Sequence, residues 1–199
     1  MKSNTLSVID YRLMPFTPTT FPGLIIIEPA SFEDSRGYFF ESYNERSFAE
    51  NGIQMEFVQD NQSRSFYGVI RGLHYQLPPH AQTKLVRVLS GVIIDAVVDL
   101  RTGSPTFGES FCIELSAENK KQLLVPKGFA HGFSVISEMA EVMYKCDTYY
   151  HKESERGFLY SDPALNIEWQ IPADKAVVSD KDQLLPLFNT YAGEFLFVP

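Results

Sequence analysis

Cysteine, histidine, positive charge and long apolar runs are all scarce in this chain, and each scarcity argues against a class of protein. Cys112 and Cys146 are the only cysteines among 199 residues. They form no CxxC pair and no disulfide framework, so a reducing cytoplasm is the expected compartment. Four histidines, His74, His80, His131 and His151, leave little material for a metal centre. No stretch approaches the ~18 apolar residues of a membrane span, and the opening "MKSNTLSVIDYRLMPF" has no apolar h-region, so a soluble protein without a membrane partner is expected. Lys and Arg number 17 against 25 Asp and Glu, for a formal net charge of −8. A nucleic-acid surface needs a basic field, which argues against nucleic acid as a partner. An anionic small molecule remains compatible, because exposed charges are screened within about 8 Å at physiological salt. It requires a local cationic pocket.

What the chain does hold is aromatic side chains, 16 Phe and 10 Tyr, and short apolar stretches broken by turn residues. The length reads as one domain spanning 1–199, with enough chain for a sizeable core. "GLIIIE" (23–28), "GYFFES" (37–42), "MEFVQ" (55–59), "KLVRVL" (84–89), "VIIDAVVDL" (92–100), "SFCIEL" (110–115), "KQLLVP" (121–126), "GFSVIS" (132–137) and "AEVMYKC" (140–146) read as strands. "SRG", "LSG", "RTGSP", "SAENK" and "PKGFAHG" read as the breaks between them. Strands at this spacing, with few helical periods, predict an all-β antiparallel sandwich or barrel. "NERSFAENG" (44–52) is the best short helix, and the tail after Trp169 folds back as helix or irregular structure.

Alternation singles out two polar groups. Tyr144 shares parity with Val142 and Cys146, and Lys84 with Val86 and Val88, which puts each on a largely apolar strand face. A buried Lys is costly without a partner or a task. Leu85 and Leu89 are apolar too, a pattern that fits a sheet packed inside a sandwich and also against a partner chain. The densest cluster of reactive side chains is "RGLHYQLPPHAQTKLVRV" (71–88), with Arg71, His74, His80, Lys84 and Arg87.

"PKGFAH" (126–131) has the P-x-G-x-x-H spacing of the second motif of cupins, small double-stranded β-barrels. Metal-binding cupins also need an H-x-H and a Glu from an earlier hairpin. The corresponding stretch, "GLHYQLPPHAQTK", has no H-x-H, so no metal is expected. The chain resembles a cupin-type double-stranded β-helix, or jelly-roll barrel, with a few short helices and a pocket turned to another use. A metal-free pocket with His, Lys and Tyr suits removal of a proton beside a carbonyl. A positioned base takes the proton, and a cation near the carbonyl oxygen stabilises the enolate. Return of a proton from the opposite face inverts the carbon.

Seven stretches then bring a specific resemblance: "DSRGYFFESYN" (34–44), "FVQDNQS" (57–63), "RGLHYQ" (71–76), "QTKLVRV" (82–88), "VVDLRTGSPTFG" (97–108), "LSAENKKQLLVPKGFAHGF" (115–133) and "VMYKC" (142–146). In this order and spacing the chain resembles the dTDP-4-dehydrorhamnose 3,5-epimerase family, cofactor-independent cupin enzymes, from Phe21 to Asp182. The resemblance implies His74 as general base with Asp182 as its orienting carboxylate, Tyr144 as the opposing acid, and Lys84 beside the sugar carbonyl. It implies substrate-binding positions at Arg36, Glu41, Gln59, Asn61, Arg71, His131, Glu155 and Lys181, and an aromatic packed on the thymine at Tyr149. A dTDP-sugar substrate and a homodimer follow from it, the latter fitting long apolar strands such as "GLIIIEP" that need covering.

Other readings stand beside these. His80 and His151 read as surface histidines, Cys146 as packing, and Asp95 as a partner of a His or a buried structural Asp. "YSDP" (160–163) replaces the family's usual "WNDP", and Gln170 rather than Pro follows Trp169. Residues 1–20 form an N-terminal extension, and 171–199 a segment packing on the barrel. Alternative activities are inversion of only C3 or only C5, a metal-dependent cupin oxygenase, or a noncatalytic sugar-binding barrel.

Overall fold

The computed structural model describes residues 14–198. One sheet takes six strands in the order β1 (Phe16–Pro18), β2 (Ile25–Ile27), β11 (Gln122–Val125), β7 (Lys84–Ser90), β13 (Met139–Cys146) and β5 (Gln59–Phe66). The second takes β10 (Ser110–Ser116), β8 (Val92–Asp99), β12 (Phe129–Val135), β6 (Ile70–Gln76) and β14 (Glu155–Gly157). All neighbours in both sheets are antiparallel. β3 (Ser31–Asp34) and β4 (Gly37–Phe40) make a separate hairpin, and β15 (Phe195–Leu196) lies parallel to β9 (Arg101–Thr102). This is the antiparallel sandwich expected from the strand pattern, in the cupin-type jelly-roll form that the resemblance implied. The helices α1 (Glu45–Glu50) and α2 (Asp180–Gln183) are short, and no helix among the described residues is long and apolar enough to cross a membrane.

Three apolar layers account for the alternation. Val86, Val88, Val97, Leu123, Phe133 and Val142 form the core between the sheets. Outside the second sheet, Leu73, Tyr75, Val98, Phe158, Trp169 and Phe195 form another cluster. Outside the first, Ile27, Leu85 and Leu124 pack on Phe48 of α1 and on Ile53. Within the chain, the outward cover over Leu85 is Phe48 of the helix together with Ile53. β2 lies between β1 and β11, so "GLIIIEP" is no open edge; among the described residues the edges of that sheet are β1 and β5.

Two strand expectations are corrected. "MEFVQ" is not a strand over 55–58; Met55 and Phe57 pack on the outer cluster, and β5 starts only at Gln59. Its sequence, QDNQSRSF, is polar on both its half-buried and its exposed face, so apolar periodicity could not reveal it. β12 begins at Phe129, inside what reads as a turn, which puts His131 within a strand.

Glycine sets the spacing around β6. Gly72 has φ +121°, and a Cβ there would fall 2.6 Å from Gly132 Cα and 2.8 Å from the His131 carbonyl. A Cβ on Gly132 would meet the Arg71 carbonyl at 2.6 Å, and one on Gly157 would strike the Leu73 carbonyl. β6 is thus flanked on both sides by strands that approach more closely than any side chain permits. Asp99, at the end of β8, organises the following turn. Its fully buried carboxylate accepts hydrogen bonds from Arg101 N and Nε (2.9 and 2.8 Å), Arg101 Nη2 (2.7 Å), Ser104 Oγ (2.6 Å) and Thr106 Oγ1 (2.7 Å). The "DLRTGSPT" stretch is explained by this chelate. Burial pushes the Asp99 carboxyl up, but these donors outweigh it and hold it below the usual carboxylate range.

Gly72→Ala should cost about 1–3 kcal/mol from backbone strain alone, with the strand contact added, and lower Tm by several degrees in a calorimetric scan. Asp99→Asn should cost about 3–5 kcal/mol by leaving the mostly buried Arg101 without its charge partner, read from urea unfolding. Because the folded carboxyl lies below its unfolded value, the wild-type contribution is complete above about pH 4. It is lost as pH falls further, and the acid limb of the stability curve should flatten in the variant.

Candidate active site

His74 lies on β6 opposite His131 of β12 and Gly157 of β14. Its Nε2 is 2.8 Å from Asp182 Oδ1. Asp182 belongs to α2, which Ser179 caps by accepting from the Asp182 backbone N–H at 3.1 Å. The second carboxylate oxygen accepts from the Gly72 N–H at 3.4 Å. Burial pushes the Asp182 carboxyl up, but His74, the Gly72 N–H and Lys181 together hold it below its ordinary value. A charged Asp182 therefore backs the imidazole and fixes its ring. Residues 108 apart are joined here, which no local pattern could show.

From the opposite sheet come Lys84 and Tyr144. In register, Lys84 faces Cys146 and Tyr144 faces Val86, and the Lys84 ammonium lies 5.8 Å from the Tyr144 ring centre. Burial is the main influence on both. It pulls the Lys84 ammonium below the usual lysine range, against Cys146, Asp95 and Glu155, which act to raise it. It pushes the Tyr144 phenol up, helped by Cys146 and Glu155 and opposed by Arg71. Tyr144 therefore keeps its proton at neutral pH.

These three side chains line one cleft of about 90 Å³ with Tyr75, Gln76, Gln82, Tyr150 and Glu155. Glu155 Oε2 accepts from Lys181 Nζ (2.5 Å) and from the Tyr150 hydroxyl (2.9 Å). Burial raises the Glu155 carboxyl, but these partners outweigh it and leave it low.

Around this centre stand most of the positions picked from the sequence. Asn61 pairs with Tyr144 in register and donates to Cys146 Sγ at 3.7 Å. Gln59 donates to Asn61 Oδ1 at 3.1 Å and accepts from the Tyr150 N–H at 2.9 Å. Arg71 donates to Ser65 Oγ at 3.0 Å. His131 is buried, with Nε2 2.7 Å from Asp95 Oδ1, so Asp95 is indeed a partner of a His. Three positions are not brought in. Arg36 sits in the β3–β4 turn, bonded to Asp34, beside a different surface hollow, and Glu41 borders another with Asn44 and Arg46. Tyr149 is 67% exposed, and its neighbour Tyr150 lines the cleft instead. In extended chain adjacent side chains point to opposite sides, so the "YY" doublet offered two choices that sequence could not separate. Gln76 and Gln82 were not singled out at all. His80 and His151, read as surface groups, stack face to face with centroids 3.8 Å apart.

Among the described residues, no group of three or more His, Cys, Asp or Glu side chains is placed to hold a metal ion. What the cleft does offer is an oriented imidazole on one wall, a protonated phenol on the other, and an amine near the phenol. That set can remove a proton on one side of a carbon and deliver one on the other.

Comparison with known proteins agrees with this chemistry. The family model described as dTDP-4-dehydrorhamnose 3,5-epimerase matches residues 18–190. The chain is 53% identical over 165 residues to the dTDP-4-dehydrorhamnose 3,5-epimerase of Shigella flexneri, covering 82% of this chain and 90% of that one. The crystal structure of the Elizabethkingia anophelis enzyme of the same name superposes with a TM-score of 0.85 at 52% identity, covering 88% of this chain and 97% of that one. The dTDP-6-deoxy-D-glucose-3,5-epimerase of Legionella pneumophila, solved in complex with dTDP-4-keto-L-rhamnose, gives 0.89 at 46% identity, covering 94% and 100%. By sequence, fold and family model alike, the chain belongs to the dTDP-4-dehydrorhamnose 3,5-epimerase family.

Proposed function

We propose that this protein inverts C3 and C5 of dTDP-4-dehydro-6-deoxy-D-glucose, giving dTDP-4-dehydro-L-rhamnose. The observation that carries this is that His74 and Tyr144 enter one cleft from opposed sheets. His74 takes the proton from the carbon beside the C4 carbonyl: the C–H bond breaks, an N–H bond forms, and the electron pair moves onto the carbonyl oxygen. Lys84 donates to that oxygen. Tyr144 then gives its proton to the opposite face of the carbon, and solvent restores both groups. Asp182 holds His74 and compensates its charge. Each step is a proton transfer with no change of oxidation state, so the reaction needs no redox cofactor, and Lys84 supplies the stabilisation at the oxygen.

Gln59, Asn61, Arg71, His131, Glu155 and Lys181 bind the sugar and diphosphate around this centre, and Tyr149, exposed beside the cleft-lining Tyr150, packs on the thymine where it extends beyond the cleft. The protein acts as a homodimer of single cupin-like domains, 1–199, in the cytoplasm. Two features support the dimer. Arg36 and Glu41 lie off this chain's cleft, and the hairpin bearing Arg36 exposes Tyr38 and Phe39. These residues then serve a partner's cleft. Two free thiols fit a reducing compartment.

Proton NMR of the dTDP-ketosugar in D₂O tests the reaction by following deuterium at C3 and C5. Both positions should exchange and invert; exchange at only one would reduce the activity to single-centre epimerisation. His74→Ala should abolish exchange and product together. Tyr144→Phe should still bind dTDP and still exchange, with inversion slowed by about 10²–10⁴, as for a lost positioned acid. Inversion at wild-type rates in that variant would move the acid role to another group.

A further inference from the structure

Gln76 ends β6 two residues after His74 and is 5% exposed. Its amide is occupied by the backbone of two loops. Nε2 donates to the His80 carbonyl (2.6 Å) and the Tyr149 carbonyl (3.4 Å), and Oε1 accepts from the His151 N–H (2.7 Å). The first loop leads from β6 to β7 and carries Gln82; the second follows β13 and carries Tyr149 and Tyr150. Gln82 and Tyr150 both line the cleft. A second fastening lies beside the amide: the His80 ring rests flat on the His151 ring, 3.8 Å apart and 6° from parallel. His151 is itself held by Ser154, with Nδ1 2.9 Å from Oγ.

We propose that Gln76, with the His80–His151 stack, is a latch that seats the nucleotide-side rim of the cleft, making Gln76 a positioning residue for substrate binding. The amide is suited to this because it must donate to carbonyls of two loops and accept from an N–H at the same time. A carboxylate of the same shape keeps only the accepting half. The stacked rings require flatness and not an imidazole nitrogen of His80, since no hydrogen bond of that ring is among the contacts that hold the pair. The latch acts on Gln82 and Tyr150 at the rim of the cleft and leaves His74, Tyr144 and Lys84 on their strands. Its kinetic signature is accordingly a rise in KM with kcat nearly kept.

This inference rests on the epimerase reading, and the test separates the two. Calorimetric titration with dTDP reads the rim without turnover, and wild-type turnover of dTDP-4-dehydro-6-deoxy-D-glucose tests the reading itself. Gln76→Glu should weaken dTDP binding and raise KM by about tenfold, the scale of one to two hydrogen bonds, with kcat within about twofold. His80→Ala should move both quantities the same way, and His80→Phe, which keeps a flat ring, should restore them. Melting curves of each variant show that it is folded. A folded Gln76→Glu with wild-type dTDP affinity and KM overturns the proposal, whatever its Tm. So does a loss of kcat at constant KM, which would place Gln76 in the chemistry. Failure of His80→Phe to rescue would remove the stack from the latch.

Discussion

Everything at the site depends on how tightly β6 is held between β12 and β14. At Gly72, Gly132 and Gly157 the neighbouring backbones leave no room for a Cβ. That closeness pairs His74 with His131 on one side and with Gly157 on the other. It also lets the Gly72 N–H and the His74 ring share a single carboxylate from α2. A strand with ordinary spacing would carry the same residues but would not present His74 to Asp182. The site is thus built on rigid sheet, and only its rim is built on loops.

Electrostatics follows from the same packing. The protein is acidic overall, with a net charge of −8, yet its cleft gathers Lys84 on its floor, with Arg71 acting on Tyr144 and Lys181 on Glu155 at its edges. Burial lowers Lys84 and raises Tyr144, because the enclosed surroundings disfavour the charged form of each. Asp182 and Glu155 remain charged because their partners outweigh burial. A site for an anionic sugar nucleotide needs no basic surface at large; it needs cations held where solvent screening is weak. The charge balance and the local pocket are therefore compatible.

Legibility differed by the kind of force involved. Where one strand face is apolar and the next polar, the sequence shows the strand: β7, β8, β10, β11 and β13 all read directly from alternation or short apolar runs. β5 did not, because QDNQSRSF has little apolar face to display. Lys84 and Tyr144 were visible as polar intruders in apolar parity. His74 and Asp182 were identifiable only through family motifs, since nothing in "RGLHYQ" or "VSDKD" separately indicates a shared hydrogen bond.

By itself the sequence determined the class of fold, the scarcity of metal ligands and the residue types available for proton transfer. Those follow from composition and from the two-residue period of strands, which are local properties. Tertiary structure alone decided which groups meet. It chose Tyr150 over Tyr149 for the cleft, left Arg36 and Glu41 outside it, covered Leu85 with α1 and laid His80 on His151. These outcomes depend on pairings between residues tens of positions apart and on which way a loop turns at its end. Chain closure and packing fix them, and neither is written in any short stretch of sequence.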